Sequence, residues 1–513
     1  MDFSLLIARF TERHQHHGWP RQRLLHECLR AAILDGTLAP GTRLVASRAL
    51  AAELKVARNT VLYAYEQLSV EGYVVTDRRA TVVAALVPLG AAAVAGSQAM
   101  PASASASASA SAQPAPASAY VALARRARDL RTVAAAADLM GGFAPGVPAL
   151  EQFPLVLWRR MLERAWRSLT PAQLNYGEPA GEPALREAIA DHLRAARGVV
   201  CEAAQVFVTE GTQSSLDLCA RVFADEGETV WLEDPGYGGA LAALRSAGLR
   251  VEGIAVDGEG IAPTAQDWQL RPPRLIYTTP SHQYPTGSVL SLRRRLGLLE
   301  AARAAGALII EDDYDSEFRH DGPPLAAMQG LVADAPVLYL GTFSKTMFPS
   351  LRIGFLVVPR ALAEPLTRML AQSAARGRVA EQLALAEFLR SGQFALHLRR
   401  MRRLYRQRRD ALAAALLRHV GSSAVVHGGS AGMHLSLRFN DTALDDAEIA
   451  ARVLELGIVT HALSVHALRE DTQWRGLMLG YAQVPVEQMD ALVRQLASVL
   501  HLAAFQRARR QVD

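Results

Sequence analysis

The sequence predicts an α/β main domain with a mostly parallel sheet and helices on both faces, a small C-terminal α+β segment, and an N-terminal winged helix-turn-helix. Two observations lead to this prediction. From residue 205 onward, apolar strand-like runs alternate with amphipathic helical ones, as in QVFVTEG, SSLDLCARVFA, TVWLED and GGALAALRSAG. That alternation is typical of helices packed around a parallel sheet. Nearer the N-terminus the order is helix, turn, helix, tight turn, helix and strand pair, which is the order of a winged helix-turn-helix.

The predicted head occupies residues 1–84. Its helices are PRQRLLHECLRAAILDG, SRALAAELKV and RNTVLYAYEQLSVEG, and its strand pair is YVVTDRRATVVAAL. Gly36, Pro40 and Gly41 mark the first turn, and Ser47 is expected to be the N-cap of the second helix because its hydroxyl can accept a backbone N–H. In such a fold the second helix of the motif enters the major groove of DNA.

A low-complexity segment follows the head. The stretch MPASASASASASAQPAPAS alternates Ala and Ser with interspersed Pro, so it has no specific face to bury. We therefore predict a flexible linker over residues 85–120, with an r.m.s. span of roughly 30 to 36 Å. The main domain is then expected over 121–420, and the small C-terminal domain over 421–513.

Bulk composition narrows the class of protein. The net charge of +5 and the pI of about 9.2 permit nucleic-acid binding without requiring it. Cys28, Cys201 and Cys219 are scattered, which favours neither a disulfide framework nor a zinc site and fits a reducing cytoplasm. The best membrane candidate, VVAALVPLGAAAVAG, is short and interrupted by Pro88, so we expect no membrane span.

Lysine usage points to a chemical role for one residue. Of the 55 Lys and Arg residues, only Lys55 and Lys345 are lysines. Arginine is always protonated, whereas a lysine amine can lose its proton on burial and form a Schiff base with a carbonyl. Lys345, in GTFSKTMFPSLRIGF, is therefore the candidate nucleophile.

The neighbours that Lys345 needs to hold pyridoxal phosphate as an aldimine are present at predicted strand ends. Such a site requires a carboxylate at the pyridinium nitrogen, a partner for the ring hydroxyl and a cup for the phosphate. In IIEDDYDSEFRH, Asp312 is the candidate carboxylate and Tyr314 lies beside it. A glycine turn at the start of a helix and nearby hydroxyl and guanidinium groups suit the phosphate: Gly211, Thr212, Gln213, Thr342, Ser344 and Arg352.

Polar residues at helix starts and in the wing are the candidate DNA contacts. Arginine pairs bidentately with guanine and asparagine with adenine, and basic side chains also bind backbone phosphates. The candidates are Arg48, Arg58, Asn59, Thr60, Arg78 and Arg79.

Two resemblances extend these predictions. LRAAILDGTLAPGTRLVASRALAAELKVARNTVLYAYEQLSVEGYV resembles the GntR family of bacterial transcription regulators, and residues 140 to 500 resemble the fold type I aminotransferases. The second resemblance implies that Lys345 is the Schiff-base lysine, Asp312 the acid at the pyridinium nitrogen and Tyr314 the partner of the ring hydroxyl. It also implies that Tyr237 stacks on the ring and that Tyr176 reaches the phosphate of the partner subunit.

The combination of the head, the Ala/Ser linker, HQYPTG and EDDYDSEFR resembles the MocR/GabR-type subfamily of GntR regulators. This implies a homodimer, arranged head to tail, that binds a double-stranded DNA operator. Tyr284 stands where aminotransferases carry an asparagine near the ring, so His282 or Gln283 is expected to contact the ring instead.

Other departures concern DNA and the ligand carboxylate. Val45 and Ala46 replace the usual Pro-Ser, Ala57 replaces a serine, and the wing carries DRRATVV where glycines are usual, which weakens the expected DNA contacts. The arginine that clamps an amino-acid carboxylate in the family aligns with Met478, which cannot form a bidentate pair. Arg475 and Arg438 are the possible substitutes.

The sequence thus favours a pyridoxal phosphate-dependent, DNA-binding transcription regulator. Its effector is an amine, an amino acid or pyridoxal phosphate itself, sensed through Lys345 with little or no turnover. The alternative is a genuine aminotransferase that carries a DNA-binding head. The effector, the operator and the sign of regulation do not follow from the sequence.

Overall fold

The computed structural model describes residues 3–14, 18–76, 80–85, 141–322, 325–373, 377–469 and 473–510. The described residues up to 85 belong to one unit and those from 141 onward to a second. The predicted linker, apart from its first residue, and the first part of the predicted main domain lie outside the described residues, as do Arg78 and Arg79. No helix in these described ranges is both long enough and apolar enough to cross a membrane.

The head contains the predicted helices and hairpin and one more helix. Helix α1, which the sequence analysis did not predict, precedes the three expected helices. These elements enclose a core that includes Leu29, Leu50, Val61 and Leu68, all buried. The bounds are α1 Phe3–His14, α2 Arg21–Leu34, α3 Ser47–Glu53, α4 Arg58–Val70, β1 Val74–Thr76 and β2 Thr81–Val83.

The helix starts in the head differ from one expectation. Ser47 is the first residue of α3 rather than its N-cap, which is Ala46 and offers no side-chain hydrogen bond. The predicted cap is therefore wrong, and the Ser47 hydroxyl instead accepts a 3.4 Å hydrogen bond from Nε of Arg58. The hairpin β1–β2 is antiparallel, as a wing requires, and Arg43 adds an isolated bridge to Val82.

The second unit is built on an eight-stranded sheet in the order β3-β10-β9-β8-β7-β4-β5-β6. Strands β9, β8, β7, β4 and β5 are mutually parallel, and β10 runs antiparallel to both β9 and β3. Strand β3 therefore points the same way as β9. The bounds are β3 Val206–Thr209, β4 Thr229–Asp234, β5 Arg250–Asp257, β6 Gly260–Ile261, β7 Leu275–Thr278, β8 Leu308–Asp313, β9 Val337–Thr342 and β10 Gly354–Val357.

Both faces of this sheet are covered by helices. Residues on successive strand positions enter two separate apolar clusters, one containing Trp231, Ile276 and Ile309 and the other Leu232 and Tyr277. This explains the continuous apolar runs in the sequence, because a strand buried on both faces needs no polar side. The helices are α5 Leu155–Ser168, α6 Pro183–Arg197, α7 Thr212–Val222, α8 Gly238–Ser246, α9 Ala265–Leu270, α10 Leu292–Ala305, α11 Arg360–Ser373, α12 Val379–Arg390 and α13 Gln393–His419.

The C-terminal part contains an antiparallel sheet of four strands in the order β11-β12-β14-β13. Long helix α13 leads into it; its sequence has no Gly or Pro, and it lies between Gly392 and Gly421. The α+β character predicted for this part is present. Its elements are β11 Ala424–His427, β12 His434–Phe439, α14 Asp446–Glu455, β13 His461–Ala462, β14 Gly476–Gly480 and α15 Val486–Arg510.

Candidate functional site

A cavity of about 220 Å³ lies at the carboxyl edge of the large sheet. Strands β3, β4, β7, β8 and β9 all end at this edge, so residues far apart in sequence meet there. Most of the residues predicted for the cofactor line this cavity: Lys345, Asp312, Tyr314, Tyr237, Thr212, Gln213, Thr342, Ser344, Arg352 and Tyr284. Gly211 lies immediately before Thr212. Tyr176 does not line the cavity of its own chain and is 89% exposed.

Lys345 follows β9 and projects its amine into the cavity. Its Nζ donates a 2.7 Å hydrogen bond to the carbonyl oxygen of Gly146. Burial lowers the pKa of Lys345, and the charges of Asp315 and Asp312 act in the opposite direction. A lowered pKa increases the fraction of neutral amine at a given pH, and the neutral amine is the form that attacks a carbonyl.

Gly146 is required by this contact in two ways. Its φ is +74°, in the left-handed region, and a Cβ built on it would lie 2.8 Å from Nζ of Lys345. An L side chain there would be strained and would displace the amine. Gly146 was missed by the sequence analysis, since a glycine after a proline in FAPGVPAL looks like an ordinary turn.

Asp312, near the end of β8, has one carboxylate oxygen without a partner. The side chain is 3% exposed, and the Tyr277 hydroxyl donates a 2.8 Å hydrogen bond to Oδ2. Oδ1 is buried with no hydrogen-bond partner among the described residues. Burial raises the pKa of Asp312 to about 7, against the lowering effect of the Tyr277 hydrogen bond. Such an oxygen fits the protonated ring nitrogen of pyridoxal phosphate, which supplies both a donor and a positive charge.

Another part of the cavity lining suits a phosphate. Helix α7 begins at Thr212 after Gly211, whose φ is +95°, and its first amides present a positive dipole. A Cβ on Gly211 would lie 3.6 Å from Nη1 of Arg352, so the guanidinium lies against this turn. The Thr342 hydroxyl donates to Ser344 Oγ at 3.1 Å, and the Ser344 amide donates to Thr342 Oγ1 at 3.2 Å.

Aromatic side chains form the walls of the cavity. Tyr237 and Tyr284 meet edge to face at 5.5 Å. The Tyr314 hydroxyl donates to the carbonyl oxygen of His282 at 2.9 Å and also lies 3.1 Å from His282 Nδ1. One N–H of the Gln213 amide is held by the carbonyl of Gly239 at 2.9 Å.

Neither His282 nor Gln283, the expected ring contacts, lines the cavity. Gln283 Nε2 donates to Pro235 O at 2.8 Å and to Glu233 Oε2 at 3.1 Å, so its amide is already hydrogen-bonded within the protein. His282 Nδ1 lies 3.1 Å from Asp315 Oδ2. Asp315 and His434 line the cavity and were not predicted, although Asp315 is part of the quoted EDDYDSEFR.

The residues considered for a carboxylate clamp lie elsewhere. Met478 is fully buried in β14, opposite Ser436 and His461. Arg475 Nη1 lies 3.4 Å from Asp446 Oδ1, and the Arg438 guanidinium lies over the Trp474 ring at 5.4 Å, beside a separate cavity. Among the described lining residues of the site, Arg352 is the single guanidinium.

In the head, the predicted DNA contacts lie at the starts of adjacent helices. Arg48 is exposed in the first turn of α3, and Arg58 and Asn59 are exposed at the start of α4; Thr60 is half-buried. The start of the second helix of the motif is the part that meets base edges and phosphates. Arg58 can serve there with its Nη groups, since its hydrogen bond to Ser47 uses Nε.

Comparison with known proteins gives both parts a family. Residues 142–496 match the aminotransferase class I and II family, and residues 22–83 match the gntR family of bacterial regulatory proteins. The chain is 39% identical to the "Probable rhizopine catabolism regulatory protein MocR" of Rhizobium meliloti over 93% of each chain. It is 32% identical to the pyridoxine biosynthesis transcriptional regulator PdxR of Corynebacterium glutamicum, over 79% of this chain and 80% of that protein.

A solved structure supports the fold of the second unit. LysN, the α-aminoadipate aminotransferase of Thermus thermophilus, was crystallised with N-(5′-phosphopyridoxyl)-L-leucine; it is 29% identical with a TM-score of 0.65, and the match covers 75% of this chain and 96% of LysN. The cavity described above therefore lies in a fold that holds pyridoxal phosphate. The chain belongs to the MocR-type GntR transcription regulators, DNA-binding proteins in which a winged helix-turn-helix is joined to an aminotransferase class I and II domain with pyridoxal phosphate as its cofactor.

Proposed function

We propose that this regulator senses an amine-bearing ligand, or pyridoxal phosphate itself, through Lys345 and changes its binding to a double-stranded DNA operator in response. The observation that carries the proposal is the pairing of Lys345, an amine whose pKa is lowered by burial, with Asp312, whose buried Oδ1 lacks a partner among the described residues. Lys345 suits the aldehyde of pyridoxal phosphate, and Asp312 suits the nitrogen on the opposite side of the same ring. The head supplies the DNA-binding output.

We assign the roles at the cavity as follows. Lys345 forms the Schiff base, Asp312 binds the ring nitrogen, Tyr237 stacks on the ring, and Tyr314 and Tyr284 lie near the ring hydroxyl. When bound, pyridoxal phosphate would supply an aldehyde for one primary amine at a time. Lys345 would hold it, and would be released as a free amine, with the two protons of the incoming amine on Nζ, when a ligand amine took its place. The phosphate is assigned to Gly211, Thr212, Gln213, Thr342, Ser344 and Arg352.

The head residues Arg48, Arg58, Asn59, Thr60, Arg78 and Arg79 are assigned to DNA. We place the protein in the cytoplasm because its operator is there. The proposed boundaries are 1–84 for the head, 85–120 for a flexible linker, 121–420 for the cofactor domain and 421–513 for the small domain. A homodimer arranged head to tail is proposed, with Tyr176 reaching the phosphate of the neighbouring subunit; its exposure leaves it free to do so.

A change of state at Lys345 affects DNA binding only if the ligand binds one arrangement of the protein better than the other. A tenfold preference is worth about 1.4 kcal/mol, which is enough to shift an operator-binding equilibrium measurably. The required measurement is therefore the affinity for DNA with and without cofactor and ligand.

The second candidate is an aminotransferase with a DNA-binding head. The match of residues 142–496 to aminotransferase class I and II favours it. Against it, the described lining residues hold no guanidinium beyond Arg352 for a substrate carboxylate. An aminotransferase would have to turn over an amino acid with a 2-oxo acid.

The test uses an operator selected from random duplexes by the full chain. Fluorescence anisotropy would give the operator affinity of the apo and cofactor-loaded chain, with and without amines and amino acids. We expect cofactor or ligand to change this affinity in the wild type and not in Lys345→Ala. Equal responses from both proteins, or no response from either, would contradict the proposal. Stoichiometric conversion of an amino acid and a 2-oxo acid would favour the second candidate.

A further inference from the structure

The wall of the cofactor cavity beside the ring is rich in hydrogen-bond acceptors. Asp315, 1% exposed, and His434, 2% exposed, line the cavity near Lys345. Asp315 Oδ2 is 3.1 Å from Nδ1 of His282, which identifies that nitrogen as the protonated one, because a carboxylate accepts. Asp315 is thus held in place as a buried acceptor.

His434 adds a second acceptor to the same wall. Its pKa is well below the ordinary value because of burial, so the ring is neutral and carries one proton. Its hydrogen bond to the backbone at Pro285 places that proton on one nitrogen. Nε2 is buried without a hydrogen-bond partner in the described part of the chain, and in a neutral ring the remaining nitrogen is an acceptor.

The positive groups at the cavity are already assigned. Arg352 takes the phosphate, and Lys345, once a ligand amine has taken its place, is a free amine whose pKa burial lowers. A ligand carboxylate would therefore be placed near Asp315 and the bare nitrogen of His434, with no guanidinium beyond Arg352 among the described lining residues to receive it. The carboxylates of Asp315 and of such a ligand would repel each other in a site that excludes water, so the ligand would bind poorly.

We infer that the effector of this regulator is an amine that carries no carboxylate, and that Asp315 and His434 receive its ammonium or hydroxyl donors. This inference rests on the proposed function, because it names the ligand class for the same site. One amine of such a ligand replaces Lys345 at the cofactor, and its second donor group meets the acceptor wall. A monoamine with no further donor would lack the second contact.

A metal ion is the competing occupant of this wall. Ligand atoms of His282, Asp315 and His434 lie within 4.8 Å of one another. A metal ion would need a free lone pair on each of these ligand atoms. The Nδ1 of His282 is also already shared between Asp315 and Tyr314. The amine is therefore favoured, and metal binding becomes an outcome of the test.

The experiment compares ligand pairs that differ by one carboxylate: putrescine with ornithine, and ethanolamine with serine. Dissociation constants for the cofactor-loaded full chain come from isothermal titration calorimetry and from cofactor absorbance, each normalised to the reaction of the same amine with free pyridoxal phosphate. In the wild type we expect each amine to bind about 10-fold more tightly than its amino acid, or better. Operator affinity should respond to the amine at correspondingly lower concentration.

Two variants and one control locate the effect. Asp315→Asn and His434→Gln keep polar groups of similar size, and each should bring the two members of a pair to within about 3-fold of each other. Asp191→Asn removes the same charge from an exposed position on α6 and should leave the preference unchanged. Melting temperatures and retained cofactor absorbance show whether each variant has folded. If one of them has not, the ligand preference of the other variant tests the inference.

The outcomes separate the inference from the function on which it rests. An amino acid that binds as tightly as its amine, while operator affinity still responds, overturns the inference and leaves the proposed function standing. The inference is also overturned if both variants still bind the amine more tightly than its amino acid. It is overturned as well if the wild type binds zinc and His434→Gln does not. If no amine or amino acid and no addition of pyridoxal phosphate changes operator affinity, the proposed function itself fails.

Discussion

The Tyr277 hydroxyl donates a 2.8 Å hydrogen bond to Oδ2 of Asp312 and leaves Oδ1 of the same carboxylate buried and without a partner among the described residues. The tyrosine thus orients the acid and stabilises its charged form, while the second oxygen remains for the cofactor. Burial and this one hydrogen bond oppose each other in setting the charge of Asp312.

Replacement of Asp312 by asparagine should weaken cofactor binding by about 10- to 100-fold, because a hydrogen bond to a charged group is worth about 1.5–3 kcal/mol. Absorbance titration of the apo protein with pyridoxal phosphate measures this. Tyr277→Phe is the matched control, since it keeps the carboxylate and removes only its orienting hydroxyl; its loss should be smaller. Equal affinity in wild type and Asp312→Asn would show that Oδ1 does not meet the ring nitrogen.

The stability of the apo protein should depend on pH through Asp312. Burial raises its pKa from 3.8 to about 7. The stability associated with the protonated acid is therefore fully present below about pH 4 and is lost as the pH rises through about 7. The free energy of unfolding of the wild type should fall relative to that of Asp312→Asn by up to about 4 kcal/mol between about pH 4 and 8, and its melting temperature should fall with it. Glu311 and Glu317, whose pKa values burial also raises to about 7, are present in both proteins and largely cancel in the difference. A constant difference across this range would contradict the prediction.

Because the chain has only two lysines, mass spectrometry of peptides can test whether the cofactor bonds to Lys345. Borohydride reduction of the cofactor-loaded chain should fix the cofactor on the peptide that contains Lys345, because the reduced carbon–nitrogen bond is permanent. Lys55→Ala should retain this labelled peptide, and Lys345→Ala should lose it. Label on Lys55 in the wild type, at comparable yield, would remove the basis for the assignment.

Gly146→Ala should reduce both stability and cofactor binding. The left-handed φ of +74° costs an L residue roughly 1–2 kcal/mol, and the added Cβ would lie 2.8 Å from Nζ of Lys345. Gly227 has a φ of +85° with nothing within 4 Å of an added Cβ, so Gly227→Ala isolates the backbone strain. Thermal melting should show a loss in both variants, while cofactor titration should show a loss only for Gly146→Ala. A Gly146→Ala protein with normal cofactor affinity would disprove the close-contact argument.

Arg58 and Asn59 should differ in what they contribute to DNA binding. If Arg58 binds one phosphate, Arg58→Ala weakens all sequences alike and makes the slope of log affinity against log salt shallower by about 0.9. Asn59→Ala should instead relax discrimination at one base pair, by about 1–3 kcal/mol. Ser69→Ala, at the exposed far end of α4, is the control. Anisotropy titrations at several salt concentrations, with point-mutated operators, distinguish these outcomes; if Asn59→Ala loses affinity uniformly, it is a phosphate contact.

Most of the residues that line the candidate site could be predicted from the sequence because they lie at strand ends. Asp312 and Thr342 each lie at the end of a short apolar run that predicts a buried strand. Since the carboxyl ends of parallel strands meet at one edge, the order of these motifs along the chain already implied that they would converge. The scarcity of lysine then singled out Lys345.

Tertiary structure alone decided which other groups meet at that edge. Gly146 is 199 residues from Lys345, and neither its backbone conformation nor its contact with Nζ has a local signature. His434 comes from a different sheet, and Asp315 gains its importance only from His282 and the cavity beside it. Two predictions made from short stretches of sequence were wrong. Ser47 is the first residue of its helix rather than the N-cap, and Gln283 hydrogen-bonds to Glu233 and Pro235 instead of lining the cavity. Sequence determines residue types and the direction of each strand, whereas the charge state and hydrogen-bond capacity of a site depend on burial, which is a property of the whole packed fold.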